Sequence, residues 1–241
     1  MNEIKATIKS SAVFSDDQKH RVLLRREWDK TKPTAMVLMI NPSSSALVHT
    51  DMTTLCILNN LEKLDYGSVE ITNMYSEVTN KISFRFSSDE ELLHEENDKY
   101  IIKSAESAQA VVIAWGTIGE NNRRVRKRQY EILKALEPYA HKLMCICDHR
   151  GHKVIHPLTP SVRNEWLLEA FPYKAWMNAY HAEEKAEADV AAKQDRPTKA
   201  GKKAKNNLVT EESSNNSADN ISTSGEANGS EEADTEMKEI A

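Results

Sequence analysis

Three short apolar runs, each closed by polar residues or glycine, constrain this chain more than any other feature. They are residues 35–40 (AMVLMI), closed by Asn-Pro, residues 110–115 (AVVIAW), closed by Gly116, and residues 142–147 (KLMCIC). A run of this length without polar alternation is a strand covered on both faces. Helical patterns lie between the runs. Thr50 or Asp51 can cap a segment that carries Leu55, Leu58 and Leu61 on one face and stops before Tyr66-Gly67. Residues 96–109 and 123–136 are also helical, the second with Val125, Gln129, Ile132, Leu133 and Leu136 in step. A further strand is expected at residues 69–72, and two β-rich runs around a polar turn in residues 12–28 predict a hairpin. Strands alternating with helices predict an α/β fold, a three-layer α/β/α sandwich around a mostly parallel sheet.

The rest of the chain is less regular. Residues 76–97 read as loop with one short helix. Val154-Ile155 reads as a fourth, weaker strand leading into His156-Pro157-Leu158. Residues 166–195 read as a terminal helix, packed first through Leu167, Leu168 and Phe171 and then solvated. From Arg196 the composition shifts to Lys, Ser, Asn, Glu and Asp, too polar to offset the entropy of ordering. The expected organisation is an α/β domain over residues 1–180, then a polar helix extension and disordered acidic tail over residues 181–241.

Charge follows that division. Of 32 Lys and Arg and 37 Asp and Glu, residues 181–241 hold 8 and 14, which leaves 24 and 23 for residues 1–180. A domain so balanced attracts nucleic acid through a local patch, not through bulk charge. Three cysteines, Cys56, Cys145 and Cys147, make no disulfide framework and read as small buried residues. The first residues contain no apolar signal segment and no run is long enough to span a membrane, so a cytoplasmic protein without a membrane partner is expected. No P-loop, GxGxxG, HExxH, GxSxG or CxxC motif occurs. Neither a cofactor nor a metal is expected.

Polar groups gather where the strands end, the edge at which parallel sheets bind ligands. Asn41-Pro42-Ser43 follows the first apolar run, Asn73 and Tyr75 follow residues 69–72, and Trp115-Gly116 closes the second run. An Asn held there can position a water, or it can simply start an Asn-Pro turn. Asn73 can pair with a base edge or cap a turn. His156 can donate to a developing oxyanion or serve the loop's own structure. Arg123, Arg124 and Arg126 stand at a helix start, where the macrodipole disfavours cations. Either an anion such as phosphate compensates them, or they form a solvated face beside acidic neighbours.

The order of motifs is informative. MVLMINPSS, the DxTT of Asp51–Thr54, ITNMYS, VVIAWG and GHKVIHPL together resemble the domain-of-unknown-function family 1643 of bacteria and phages, over residues 12–175. That resemblance carries no activity. A more distant one, to the uracil-DNA glycosylase superfamily, does. Asn41-Pro42, Asn73, Trp115-Gly116 and His156-Pro157 stand in the order of that superfamily's motifs. By this resemblance Asn41 holds the attacking water, Asn73 reads the flipped base, and His156 stabilises charge on the departing base. Pro42, Ser43, Asp51, Tyr75, Trp115 and Gly116 would line the substrate site. The departures matter too. Asn in place of Asp in the first motif resembles the thymine- and mismatch-type branch and implies slow chemistry. The residues after His156-Pro157 leave the wedge to Leu158 or Val162.

Three functions follow: glycosylase-like processing or binding of a nucleic-acid base, binding of a free nucleotide or nucleoside, or a non-catalytic phage or host interaction protein that engages a protein partner through the acidic tail.

Overall fold

Strand β3 (Thr34–Met39) sends its side chains alternately into two apolar clusters, Met36 and Leu38 into one, Ala35, Val37 and Met39 into the other. Both faces are dry, which is why the sequence shows no polar alternation here. Strands β4 (Ser68–Asn73) and β5 (Ala110–Ile113) flank β3 in parallel, and β6 (Leu143–Cys147) pairs in parallel with β5. The register sets Met39 beside Asn73 and Leu38 beside Ile113. Strands β1 (Lys9–Phe14) and β2 (Arg21–Glu27) form the expected hairpin, and β2 joins β4 antiparallel. Among the described residues the sheet runs β1-β2-β4-β3-β5-β6-β7, with β7 being Leu167–Ala170. The structure, a computed structural model, describes residues 1–43, 47–79, 82–153 and 155–194.

Helices cover both faces. Helix α1 (Met52–Lys63) inserts Ile57 and Leu61 beside Val37, Val69 and Ile71. Past the short helix α2 (Asp89–Leu92), α3 (Asn97–Ser107) and α4 (Arg123–Ala135) bring Ile101, Ala105, Val125, Ile132 and Leu133 against Met36, Val111 and Cys145 on the other face. Each such buried aliphatic side chain stabilises the fold by roughly 1.5–3 kcal/mol. The chain passes from β3 through α1 to β4, then crosses to β5 on the other side of β3. The strand order thus reverses across β3, with β4 on one side and β5 on the other, and a switch of this kind opens a crevice beyond the carboxyl ends of the strands.

Two expectations need correction. Residues 167–170 are not helical. Leu167–Ala170 form strand β7, antiparallel to β6, and α5 (Tyr173–Gln194) begins only after Pro172. A proline biases the residue before it to extended backbone and is accepted at a helix start, so Phe171 ends one element and Pro172 opens the next. No strand precedes His156 among the described residues. Lys153 makes one bridge to Cys147, Val154 lies outside the described residues, and Ile155 and His156 lie in irregular backbone. Helix α5 is packed through Trp176, Met177 and Tyr180 and exposed from His181 to Ala192. The tail expected beyond residue 195 lies outside the described residues. Among those described, no helix is long and apolar enough to cross a membrane.

Candidate functional site

Beyond the carboxyl ends of β3 and β4 lies a cavity of about 220 Å³. Asn41, Ser43, Asp51, Asn73 and His156 line it together with Arg21, Thr53, Thr54, Thr79, Met39 and Ile71. Residues from four distant stretches of sequence thus meet on the face of the sheet that α1 covers.

The local order of each group follows from its partners. The Asn41 amide nitrogen donates to the carbonyl of Thr79 at 2.7 Å and to that of Pro42 at 3.3 Å. Two carbonyls require the donor end of the amide, which fixes its orientation and leaves Oδ1 as an acceptor that no described residue occupies. Asp51 is the N-cap of α1, and its carboxylate accepts the Thr54 N–H at 2.6 Å and the Ser43 hydroxyl. Asn73 is 2% exposed, yet no described residue hydrogen-bonds its side-chain amide. Its backbone is held firmly: Asn97 donates to the Asn73 carbonyl at 3.0 Å, and Arg128 donates twice to the Met74 carbonyl, at 3.1 and 3.0 Å.

His156 is fixed by its own loop. Its Nδ1 accepts the Leu158 N–H at 3.2 Å, so the neutral ring carries its proton on Nε2. Burial lowers its pKa below the ordinary 6.5, which keeps the ring neutral at pH 7. Gly116, at φ +65°, packs beneath it, and a Cβ there would come within 3.5 Å of the His156 Cβ. His156 also borders a second cavity, of about 730 Å³, with Gly116, Thr117, Arg150, Thr159 and Ser161. That cavity contains a dyad the sequence reading missed. Asp148 meets His152 Nδ1 at 2.9 Å, and this bond, with the N–H groups of His152 and Arg150, holds the Asp148 carboxyl down at about 2.

Other candidate residues lie elsewhere. Tyr75 and Trp115 are buried in the cluster on the opposite face, Trp115 edge-on to Phe171 at 6.3 Å. Met39 and Ile71, not these aromatics, are the apolar walls of the smaller cavity. Pro42 is buried and its carbonyl accepts the Thr79 N–H at 3.2 Å. Of the two wedge candidates, Val162 is fully buried in the core and Leu158 is 37% exposed. The three arginines of α4 have carboxylate partners: Arg123 meets Glu187 at 2.6 Å, Arg124 meets Asp89, and Arg126 meets Glu183 at 3.1 Å while stacking on Trp176. The chain itself thus supplies anions to the helix start. Arg123 and Arg126 border a cavity of about 700 Å³ that is distinct from the Asn41 cavity.

Arg21 was absent from the sequence reading. It is 3% exposed, lines the smaller cavity, and donates to the Ser43 carbonyl at 3.4 Å. Burial lowers its pKa to about 10, against the opposing field of Asp51, so it remains cationic at neutral pH. An Arg at a strand start before Val-Leu-Leu reads as solvated. No local signal marks it: the inward phase of β2 is that of Val22, Leu24 and Arg26, and Arg21 stands one residue out of it.

The sequence model of a family described as a protein of unknown function (DUF1643) matches residues 21–158, a span that contains every residue lining the smaller cavity. No curated protein and no solved structure matches the chain.

Proposed function

For a chain that belongs to the DUF1643 family of proteins of unknown function, we propose a nucleobase-processing activity: the smaller cavity receives a base flipped out of a nucleic-acid strand and hydrolyses its N-glycosidic bond. One observation carries this reading. Asn73 keeps an amide donor and acceptor without protein partners at 2% exposure, in the cavity that Asn41 and His156 also line. An amide presents the paired donor and acceptor that a base edge requires.

Size supports one base and no more. At about 220 Å³ the cavity lies below the roughly 300–1,000 Å³ of pockets that enclose a drug-sized ligand. The sugar and phosphate then lie outside, where the cavity of about 730 Å³ adjoins His156. Asn41 Oδ1 accepts a hydrogen bond from the attacking water. The water oxygen bonds to C1′ as the C1′–N bond breaks, and the bonding pair leaves on the base. His156 Nε2–H donates to the negative charge that gathers there. The water's proton passes to solvent, and the released base anion takes one up from solvent. Asn41 cannot itself accept that proton, which accords with slow turnover. The order of motifs supports a uracil-DNA glycosylase-like version of the α/β fold.

The test is incubation of the full chain with oligonucleotides bearing uracil, thymine mismatches or deaminated purines, scored for abasic sites. Abasic sites that vanish with His156→Ala and fall with Asn41→Ala are expected. Binding without abasic sites from any of these strands assigns the cavity to base or nucleotide recognition alone.

A further inference from the structure

The larger cavity, of about 730 Å³, contains a histidine that the base-pocket chemistry does not use. It stands on the turn that follows β6. The Asp148 carboxylate there is buried, and its two oxygens serve different groups. Oδ1 accepts the N–H groups of Arg150 and His152, at 2.9 and 3.0 Å, which closes the turn. Oδ2 accepts from His152 Nδ1 at 2.9 Å and from the Ser161 hydroxyl at 3.4 Å. An ionised carboxylate only accepts, so the ring proton of neutral His152 is on Nδ1 and the lone pair is on Nε2. This is the opposite tautomer to that of His156, and it makes His152 a base. No described residue hydrogen-bonds His152 Nε2, and the side chain is 67% exposed. Closing the turn needs only Oδ1, so the bond from Oδ2 to an exposed ring is an addition that orients the ring.

The rest of the lining is rich in donors. Gly151, at φ +84°, makes the tight turn between Arg150 and His152, and both of these residues line the cavity. The Arg150 guanidinium and the hydroxyls of Thr117 and Thr159 have no partner among the described residues. A phosphoryl group offers only acceptors and suits such a lining, with the guanidinium as its strongest contact. We infer that this cavity is a second catalytic site, in which His152 is the general base for hydrolysis of a phosphodiester held by Arg150. His152 Nε2 takes a proton from water as the water oxygen bonds to phosphorus. One P–O ester bond breaks, and its electron pair leaves on the ester oxygen. That oxygen takes up a proton from solvent, and the imidazolium returns its own to solvent. Asp148 is a positioning residue that holds the base in the reactive tautomer. The choice of a diester rests on the base-pocket reading, which puts a strand's backbone in this cavity; the dyad and the donor lining do not depend on it.

The experiment uses the full chain with bis(4-nitrophenyl) phosphate and 4-nitrophenyl phosphate, with a chelator present to silence contaminating nucleases. Release of nitrophenolate from the diester is expected. His152→Ala should lower that rate about 100- to 10,000-fold, the usual share of a general base, and added imidazole should restore part of it. Asp148→Asn should lower kcat with little change in KM, because an amide facing Nδ1 moves the ring proton to Nε2. Arg150→Ala should raise KM. Thermal melting of each variant shows that it folds, and the exposed His152 and Arg150 side chains can be cut without loss of core. Neither ester carries a base, so their hydrolysis stands or falls apart from abasic-site formation. Hydrolysis of neither ester, or hydrolysis that His152→Ala leaves intact, overturns the inference. Faster turnover of the monoester than of the diester overturns the assignment to a phosphodiester.

Discussion

At the scale of single residues, His156 shows how a loop sets chemistry. The Leu158 N–H occupies Nδ1, and burial lowers the pKa, so the ring is a neutral donor through Nε2. His156→Ala is expected to leave melting within a few degrees and to lower the rate about 100- to 1,000-fold, the usual loss for one charge-stabilising donor. The pH dependence has a definite sign. A histidine whose folded pKa lies below its unfolded value of 6.5 contributes stability in full above 6.5 and loses it as the pH falls through the folded value. The same group should keep kcat/KM level below pH 6.5 and let it fall only at the lowered pKa. A profile that breaks at or above 6.5 would show His156 to be solvated or uninvolved. Asn41, Asn73 and His156 were legible in the sequence because each lies in or beside a turn beyond an apolar run. Arg21 was not, because the segment that meets it is distant in sequence, with the Ser76 carbonyl accepting its backbone N–H at 2.8 Å, and no local pattern announces that contact.

At the scale of elements, the end of β4 is held from the far face of the sheet. Asn97 at the start of α3 and Arg128 on α4 hold the carbonyls of Asn73 and Met74, and Arg128 is tied in turn to Asp98. Cutting Asn97 to Ala leaves a buried carbonyl short of a donor, and a destabilisation of about 1–3 kcal/mol is expected in urea unfolding. Because Asn97 lies on the opposite side of the sheet from the cavity, its effect on base binding should come through Asn73. Combined with Asn73→Ala, it should add to the stability loss but not to the binding loss. Additive binding losses would remove Asn97 from this positioning role. The elements themselves were legible where the pattern was local, as in the hairpin, α1 with its Asp51 cap, and β3. Strand β7 was not, since LLEA reads equally as helix or strand. What decides it is Pro172 on one side and the open edge of β6 on the other, and an open edge is a property of the assembled sheet.

At the scale of the whole molecule, one compact unit spans Met1–Gln194, and its buried apolar residues run from Val22 to Tyr180. A chain truncated after Gln194 is expected to melt within a few degrees of the full chain, because the cut removes none of these residues. A large drop in Tm would show that residues beyond 194 contribute to the fold. The same scale explains why the candidate site was readable at all. A parallel sheet with a reversal of strand order at β3 collects its strand ends on one edge, so the pattern of strands alone brings residues far apart in sequence to one place. It explains the remainder too. Which face of the sheet each group serves depends on register and on the path of α1, and Tyr75 and Trp115 went to the other face.

On the proposed reading, the side-chain amide of Asn73, which no described residue hydrogen-bonds, takes the edge of a base. The side-chain NH2 resonances of Asn73 in 15N-labelled protein test that most directly. On titration with a single-stranded oligonucleotide carrying one modified pyrimidine, these two signals should move and become protected from solvent exchange. The Asn41 NH2, already bonded to Thr79 and Pro42, should shift little. An Asn73 amide that stays unchanged while the oligonucleotide saturates the protein would contradict the account, because the strand would then be bound without its base in this cavity.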